Sequence, residues 1–295
     1  MSKFPKTKKP FSPKVLDGWL LERADGDSVQ KNRLRRQVSY MVVAAVLAKL
    51  IEDDGTPLFI LKGGVAMQLR FGSRARLSQD YDAAFRRKIE ELEAVLADMP
   101  NHPLGDFVVR PLGKPEPLGP TGAFRQTLKL AYGGKAWGEV RLEVSRPEGK
   151  SGDLDTLDML EPDPDPTIFG LESMDPIACM PISYQIAQKL HACTEVKDLG
   201  PEKEPNERFH DLLDLQLLEE LIGERDWTTV RDACLETFSI RRQQVWPPRV
   251  TIYPSWPAGY ARIAAENSFP ISSVEKAAER VDDLIARIDQ SAAIA

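Results

Sequence analysis

The stretch from Leu61 to Phe85, LKGGVAMQLRFGSRARLSQDYDAAF, narrows the folds open to this chain more than any other segment. Phe59-Ile60-Leu61 reads as a short buried strand and Ala66-Met67-Gln68-Leu69-Arg70 as the opening of a helix, with Lys62-Gly63-Gly64 between them. A backbone without Cβ turns sharply and approaches a ligand closely, so strand, diglycine turn and helix N-terminus together make an anion site. The spacing is neither that of a Walker loop nor that of the dinucleotide fingerprint. Fifteen residues separate Gly64 from Asp80-Tyr81-Asp82. On a strand, Asp80 and Asp82 project from one face roughly 6.5 Å apart along the chain, with Tyr81 on the other. Two carboxylates on one face suit hard cations such as magnesium, which completes its oxygen shell with water and substrate phosphate. Diglycine turns and paired aspartates are separately commonplace. In this order they point to a nucleotide's phosphates and their metal.

A chain of 295 residues with 42% hydrophobic content can bury a large core and exceeds one average domain. The three cysteines, Cys179, Cys193 and Cys234, lack metal-ligand spacing and read as reduced core residues; with three histidines, a zinc site is not expected. The longest apolar run, Met41–Ala48, is too short to span a bilayer, and the start MSKFPKTKKPFSPK lacks a signal peptide's apolar segment, so a cytoplasmic protein with no membrane partner is expected. A formal charge of −6 argues against indiscriminate coating of nucleic acid. Positive charge clusters locally, with Arg70, Arg74 and Arg76 before the aspartates and Arg86, Arg87 and Lys88 after them. Such a run is usually a solvated face; beside a phosphate site it would neutralise triphosphate or guide a polyanionic acceptor.

Periodicity predicts a long helix over Ser28–Asp53, a second over Lys88–Met99, and strands over Phe107–Pro111, Phe124–Tyr132 and Val140–Ser145. In the last strand Val140, Leu142 and Val144 share one face and Arg141, Glu143 and Ser145 the other, which makes Glu143 either a third carboxylate of the site or a charge on a wet face. From Arg146 to Phe169 the chain turns to Pro, Gly and Asp and reads as a connection. Helical signals follow: Ser183–Val196 with Lys189 inside it, a helix from near Asn206 carrying Arg208, Asp211 and Asp214, and Ser273–Ile288. Trp246-Pro247-Pro248-Arg249 and Tyr253-Pro254-Ser255-Trp256 read as a strap on the core or, alternatively, a platform for unpaired bases.

The order of these motifs resembles the AbiEii family of minimal nucleotidyltransferases, toxins of type IV toxin–antitoxin systems, and within it the mycobacterial MenT group. LKGG with SQDYD answers to the family's Gly-Gly and Asp-x-Asp motifs, VRLEVS to its third strand motif, Gln188-Lys189-Leu190 to its helical lysine, and Arg208-Phe209-His210-Asp211-Leu212-Leu213-Asp214-Leu215 to its Arg-x-Lys-Asp-x-x-Asp-Leu segment, with His210 at the lysine position. The resemblance implies an α+β fold: a polymerase-beta-like nucleotidyltransferase domain over 1–150, with a mixed sheet and flanking helices, a linker over 151–170, and a mainly α-helical domain over 171–295 that contributes Lys189 and Asp211. It further implies a magnesium-dependent enzyme that transfers nucleotides, pyrimidines from CTP or UTP in the MenT group, to the 3′ end of tRNA, blocking aminoacylation and translation. By the same resemblance Asp80 and Asp82, with Glu143 as a third acid, bind metal. Lys62, Gly63, Gly64, Ser78, Lys189 and Arg208 bind nucleotide, and Asp80, Lys189 and Asp211 are catalytic, so that Asp80→Ala and Lys189→Ala each lose transfer without unfolding. The partner is a cognate antitoxin, kinase-like in some systems, which makes Ser78 a candidate for inhibitory phosphorylation, since a phosphate there adds about −1.5 to −2 charges. Transfer to a protein or small molecule, or a non-catalytic nucleotide-binding module, are the alternatives.

Overall fold

The computed structural model describes residues 5–119, 122–163, 165–196, 206–223 and 226–291, so the first four residues of the basic start and Pro164 of the Pro/Asp run lie outside the described residues. The chain divides into two compact units, one of Met1–Gly72, Leu77–Pro147 and Leu157–Cys179, the other of Ser73–Arg76, Glu148–Thr156 and Met180–Ala295.

The first unit is a seven-stranded mixed sheet with helices packed on it. Its strands are β1 (Phe59–Leu61), β2 (Tyr81–Phe85), β3 (Phe107–Leu118), β4 (Ala123–Tyr132), β5 (Lys135–Ser145), β6 (Asp158–Leu160) and β7 (Ile177–Cys179), in the order β3-β4-β5-β2-β1-β7-β6. Strand β2 runs parallel to β5 and antiparallel to β1, and β1 runs parallel to β7. Helices α1 (Pro13–Arg23) and α2 (Ser28–Ala48) are capped by Ser12 and Asp27, whose side chains accept from Val15 N and from Val29 and Gln30 N. Helix α2 is amphipathic only at first. From Gln37 to Leu47 it is buried all round, because it crosses the sheet beside Tyr81 and the inward Val140, Leu142 and Val144. It stops at Ala48 rather than at Asp53, since Ile51 pairs with Pro57 and the Asp54-Gly55 turn leads into β1. The expected helix over Lys88–Met99 is a 3-10 turn followed by the short α4 (Leu92–Ala97).

Two departures concern the sheet edges. Strand β3 continues to Leu118 through Pro111, Pro115 and Pro117, which an edge position tolerates because the missing N–H groups face away from the ladder. The Pro/Asp-rich segment expected to be a connection contains β6, which pairs with β7 and closes the other edge. Through these pairings Leu157–Cys179 packs with the first unit.

The second unit is helical: α5 (Ile182–Thr194), α6 (Phe209–Glu219), α7 (Trp227–Arg241), α8 (Trp256–Glu266) and α9 (Val274–Gln290). Every residue of α6 from Asp211 to Glu219 is buried, so this helix forms the unit's centre. Ser273 caps α9 through Lys276 N, and Val274, Ala277, Val281, Leu284 and Ile288 pack inward, as the 3.6-residue spacing requires. Trp256 and Tyr253 are buried, and the Trp246 indole donates to Asp289, so the aromatic and proline segment is a strap on the helical core rather than a stacking platform. The three cysteines are buried and unbridged. No described helix is long and apolar enough to cross a membrane.

Candidate active site

Lys62 leaves β1 with its amide bonded to the Asp82 carbonyl (3.0 Å), and α3 (Gly63–Phe71) begins at the next residue. Gly63 adopts φ +64°, where L side chains are rare, and a Cβ built on it would lie 2.1 Å from Asp82 Oδ2. The Asp82 carboxylate thus occupies the space a side chain would fill. A Cβ on Gly64 would lie 2.6 Å from Ser78 Oγ, so the second glycine admits the segment leading into the acid motif. The diglycine turn and the Asp-x-Asp motif, far apart in sequence, are in contact. The Lys62 side chain makes no capping hydrogen bond at the N-terminus of α3.

Asp80 sits in a bend one residue ahead of β2, which leaves Tyr81 buried on the opposite side from Asp82. The bend is held by the Ser78 hydroxyl, which donates to the Asp80 carbonyl (2.7 Å), and by the Tyr40 hydroxyl of α2, which lies 3.1 Å from the carbonyls of both Ser78 and Gln79. Ser78 is itself buried. Because the strand starts at Tyr81, Ser78 is a turn residue and not a member of the strand face. Arg141 Nε lies 2.9 Å from Asp80 Oδ1 without aiming its N–H at it, and this buried oxygen accepts no hydrogen bond among the described residues.

Glu143 stands beside Asp82 in the β2–β5 register, on the same face, but Arg125 Nη2 holds its Oε1 at 2.6 Å. The expected third metal carboxylate, Glu143, is thus paired with Arg125 in this structure. The Lys62 ammonium donates to Ser145 Oγ (2.6 Å). For a hard cation, the fitting donors are Asp82, seated over Gly63, and Asp80, whose Oδ1 lacks a hydrogen bond.

The arginines near the motif are mostly committed to carboxylates. Arg70 pairs with Asp158, Arg74 with Glu220, Arg76 with Asp214 and Arg87 with Glu52, which removes the free basic face that the sequence suggested.

In the helical unit, Lys189 on α5 is buried and donates to Asp211 Oδ1 (2.9 Å) and Asp214 Oδ2 (2.6 Å), both on α6 and both fully buried. Arg208 Nε donates to Asp211 Oδ2 (2.7 Å) and Arg76 to Asp214 Oδ2 (3.0 Å). Burial alone would raise the pKa of Asp211, but Arg208 and Lys189 hold it well below the carboxylate range, and Arg76 with Lys189 likewise lowers Asp214. Lys189 is enclosed by these two carboxylates. Arg208 and Asp211 form an i,i+3 pair, whereas the bonds from Lys189 to both aspartates depend on helix packing.

His210, at the position of the family's lysine, has its pKa lowered to about 4, by burial first, with Asp211 opposing and Arg76 and Arg208 adding to the effect. His191 on α5 is lowered to about 4 by burial and Arg241, against Glu148. In the unfolded chain both gain a proton as pH falls below about 6.5, whereas in the fold they do so only near pH 4. Their contribution to stability is therefore full above about 6.5 and declines toward pH 4, by about 1–2 kcal/mol each between pH 7 and pH 5. Urea midpoints should fall over that interval, and less so in His210→Gln; equal midpoints at the two pH values contradict this assignment.

A family model described as nucleotidyl transferase AbiEii toxin, type IV toxin–antitoxin system, matches residues 45–291. The chain belongs to the AbiEii family. As an AbiEii protein it is a nucleotidyltransferase toxin by family, and the matched residues take in both the diglycine turn and the Lys189–Asp211 helices. Among solved structures, MenT4, a nucleotidyltransferase toxin from Mycobacterium tuberculosis H37Rv, is 15% identical, covers 92% of this chain and 98% of its own, and superposes with a TM-score of 0.53, which shows a shared fold. An antigenic nucleotidyltransferase-like protein from Paracoccidioides brasiliensis is a looser likeness, 16% identical over 69% of this chain and 88% of its own, with a TM-score of 0.41. No curated protein matches the sequence.

Proposed function

We propose that this AbiEii protein transfers a nucleotide, a pyrimidine from CTP or UTP, to the 3′ end of tRNA, and that the added nucleotide blocks aminoacylation and so translation. The observation that carries the reading is the contact between the two motifs: Asp82 over Gly63, with the unbonded Asp80 Oδ1 at the start of the same strand. In this reading the N-terminus of α3 at the diglycine turn receives the triphosphate, because helix-end N–H groups and the dipole favour anions. Asp80 and Asp82 would hold magnesium, which when bound lowers the pKa of an attacking hydroxyl and offsets charge on the leaving pyrophosphate. In this reading Asp80 would take the proton of the acceptor 3′-hydroxyl. Lys62, tied to Ser145, holds the strand end that carries the turn. Lys189, Asp211, Asp214 and Arg208 fix α5 to α6 and serve the reaction through that packing.

A cognate antitoxin, the partner that a type IV system implies, is proposed to act as a kinase on Ser78. The hydroxyl would have to leave its bond to the Asp80 carbonyl, and the phosphate would then crowd Gly64 with about −1.5 to −2 charges where triphosphate must enter.

The experiment that tests the transfer reading is incubation of the protein with each α-labelled triphosphate, magnesium, and either total tRNA or a protein extract. Label on tRNA with CTP or UTP supports it. Label on protein alone, or no transfer with any acceptor, contradicts it.

A further inference from the structure

A notch of about 450 Å3 opens beside Asp80, lined by Asn32, Arg36 and Tyr40 of α2 and by Thr127, Glu139 and Arg141 of β4 and β5, among others. Its origin lies in strand lengths. Strand β2 begins opposite Leu142, so the part of β5 from Gly138 to Arg141 runs past the end of β2 and leaves a gap that α2 closes from one face. Asn32, Arg36 and Tyr40 follow one another at i,i+4 spacing and form one stripe along α2.

The notch carries three arginines against one carboxylate, and their states differ. Arg35 is committed, paired with Asp17, bonded to the Trp137 carbonyl and stacked on the Trp137 ring. Arg141 reaches Asp80, and Glu139 stands opposite Lys129 in the β4–β5 register. Arg36 has no carboxylate partner among the described residues; it makes a long contact of 3.4 Å with the Ser78 carbonyl. An exposed guanidinium with no carboxylate partner among the described residues, at the mouth of a notch that also offers a hydroxyl, an amide and a second arginine, is a site for a phosphate oxygen.

Sheet order decides which phosphate. The diglycine turn follows β1, on one side of β2, and the notch lies on the β5 side, so the two flank Asp80. We propose that the notch binds a phosphodiester of a single-stranded RNA 3′ end, with Arg36 as the principal contact, and thereby positions the terminal hydroxyl at Asp80. The inference rests on the reading of the chain as a nucleotidyltransferase with an RNA acceptor, and it names where that acceptor is held.

The test is binding of a fluorescent single-stranded RNA ending in a 3′-hydroxyl, followed by anisotropy across a salt series with wild type, Arg36→Gln, Arg36→Lys and Thr127→Glu. Arg36→Gln should weaken binding about tenfold and make the slope of log affinity against log salt shallower by about 0.7, the value for one lost contact on a single strand. Arg36→Lys should keep the slope, and Thr127→Glu, which adds a negative charge to the notch without removing a recorded side-chain bond, should weaken binding as well. Binding of CTP or UTP should be unchanged in all three. Wild-type RNA affinity and slope in both Arg36→Gln and Thr127→Glu overturn the proposal, as does a wild type that binds no RNA, or a loss confined to the triphosphate. If the variants weaken RNA binding while wild type transfers no nucleotide, the notch stands and the transferase reading fails, so the two are separable.

Discussion

Asp80→Asn is expected to lose nucleotide transfer by at least about a hundredfold while its melting temperature stays near that of wild type. The side chain is 29% exposed, accepts no hydrogen bond at Oδ1 and has Arg141 as its charged neighbour, so little in the fold depends on its charge. Substitutions at positions of that kind usually change stability by under about 0.5 kcal/mol. Transfer is different, because one preorganised polar group at a reacting centre lowers the barrier by about 2.7–4 kcal/mol, about 10²–10³ in rate. Labelled-nucleotide incorporation under saturating triphosphate, paired with a thermal melt, checks both halves. A variant that keeps wild-type incorporation removes Asp80 from the reaction.

Lys189→Ala is expected to fail for another reason. Its ammonium is the charge shared by Asp211 and Asp214, both fully buried, and Asp214 Oδ1 already lacks a hydrogen bond. Removing one partner of a buried ion cluster leaves an uncompensated charge and costs about 3–5 kcal/mol. Arg208 remains on Asp211 Oδ2 and Arg76 on Asp214 Oδ2, which keeps the loss toward the lower end of that range. Loss of activity in this variant should therefore come with a lower urea midpoint for the helical unit, in contrast to Asp80→Asn. The sequence-based expectation was loss of transfer without unfolding; a midpoint equal to wild type would restore it and contradict the structural role given to the lysine here.

The parts of this site that were legible in the sequence are those set by local chemistry. The turn at Gly63-Gly64 was readable because a positive φ and a close approach call for glycine, and of the acid motif alternation placed Asp82 opposite Tyr81, while Asp80 lies in the bend before the strand. Strands β4 and β5 and helices α2, α5 and α9 followed from periodicity, since each buries one face or one long apolar run. What escaped was pairing. That Arg125 holds Glu143, that Arg70, Arg74 and Arg76 answer Asp158, Glu220 and Asp214, and that Lys189 lies between two aspartates are all contacts across 18 to 146 positions of chain. Charge counts alone do not choose among such partners. Strands β6 and β7, of three residues each, escaped because no turn motif marks them, whereas the equally short β1 is marked by the diglycine turn that follows it. Arg141 was placed on the same face as Glu143 by alternation, but its neighbour Asp80 became visible only with the β2–β5 register.

The central claim is that two acids and a diglycine turn together seat a triphosphate. Its most direct test is a structure of the protein with a non-hydrolysable CTP or UTP analogue and magnesium. The account predicts phosphate oxygens on the backbone amides at Gly63 and Gly64 and metal density between them and the carboxylates of Asp80 and Asp82. A triphosphate bound away from this turn, with both carboxylates facing solvent, would contradict it.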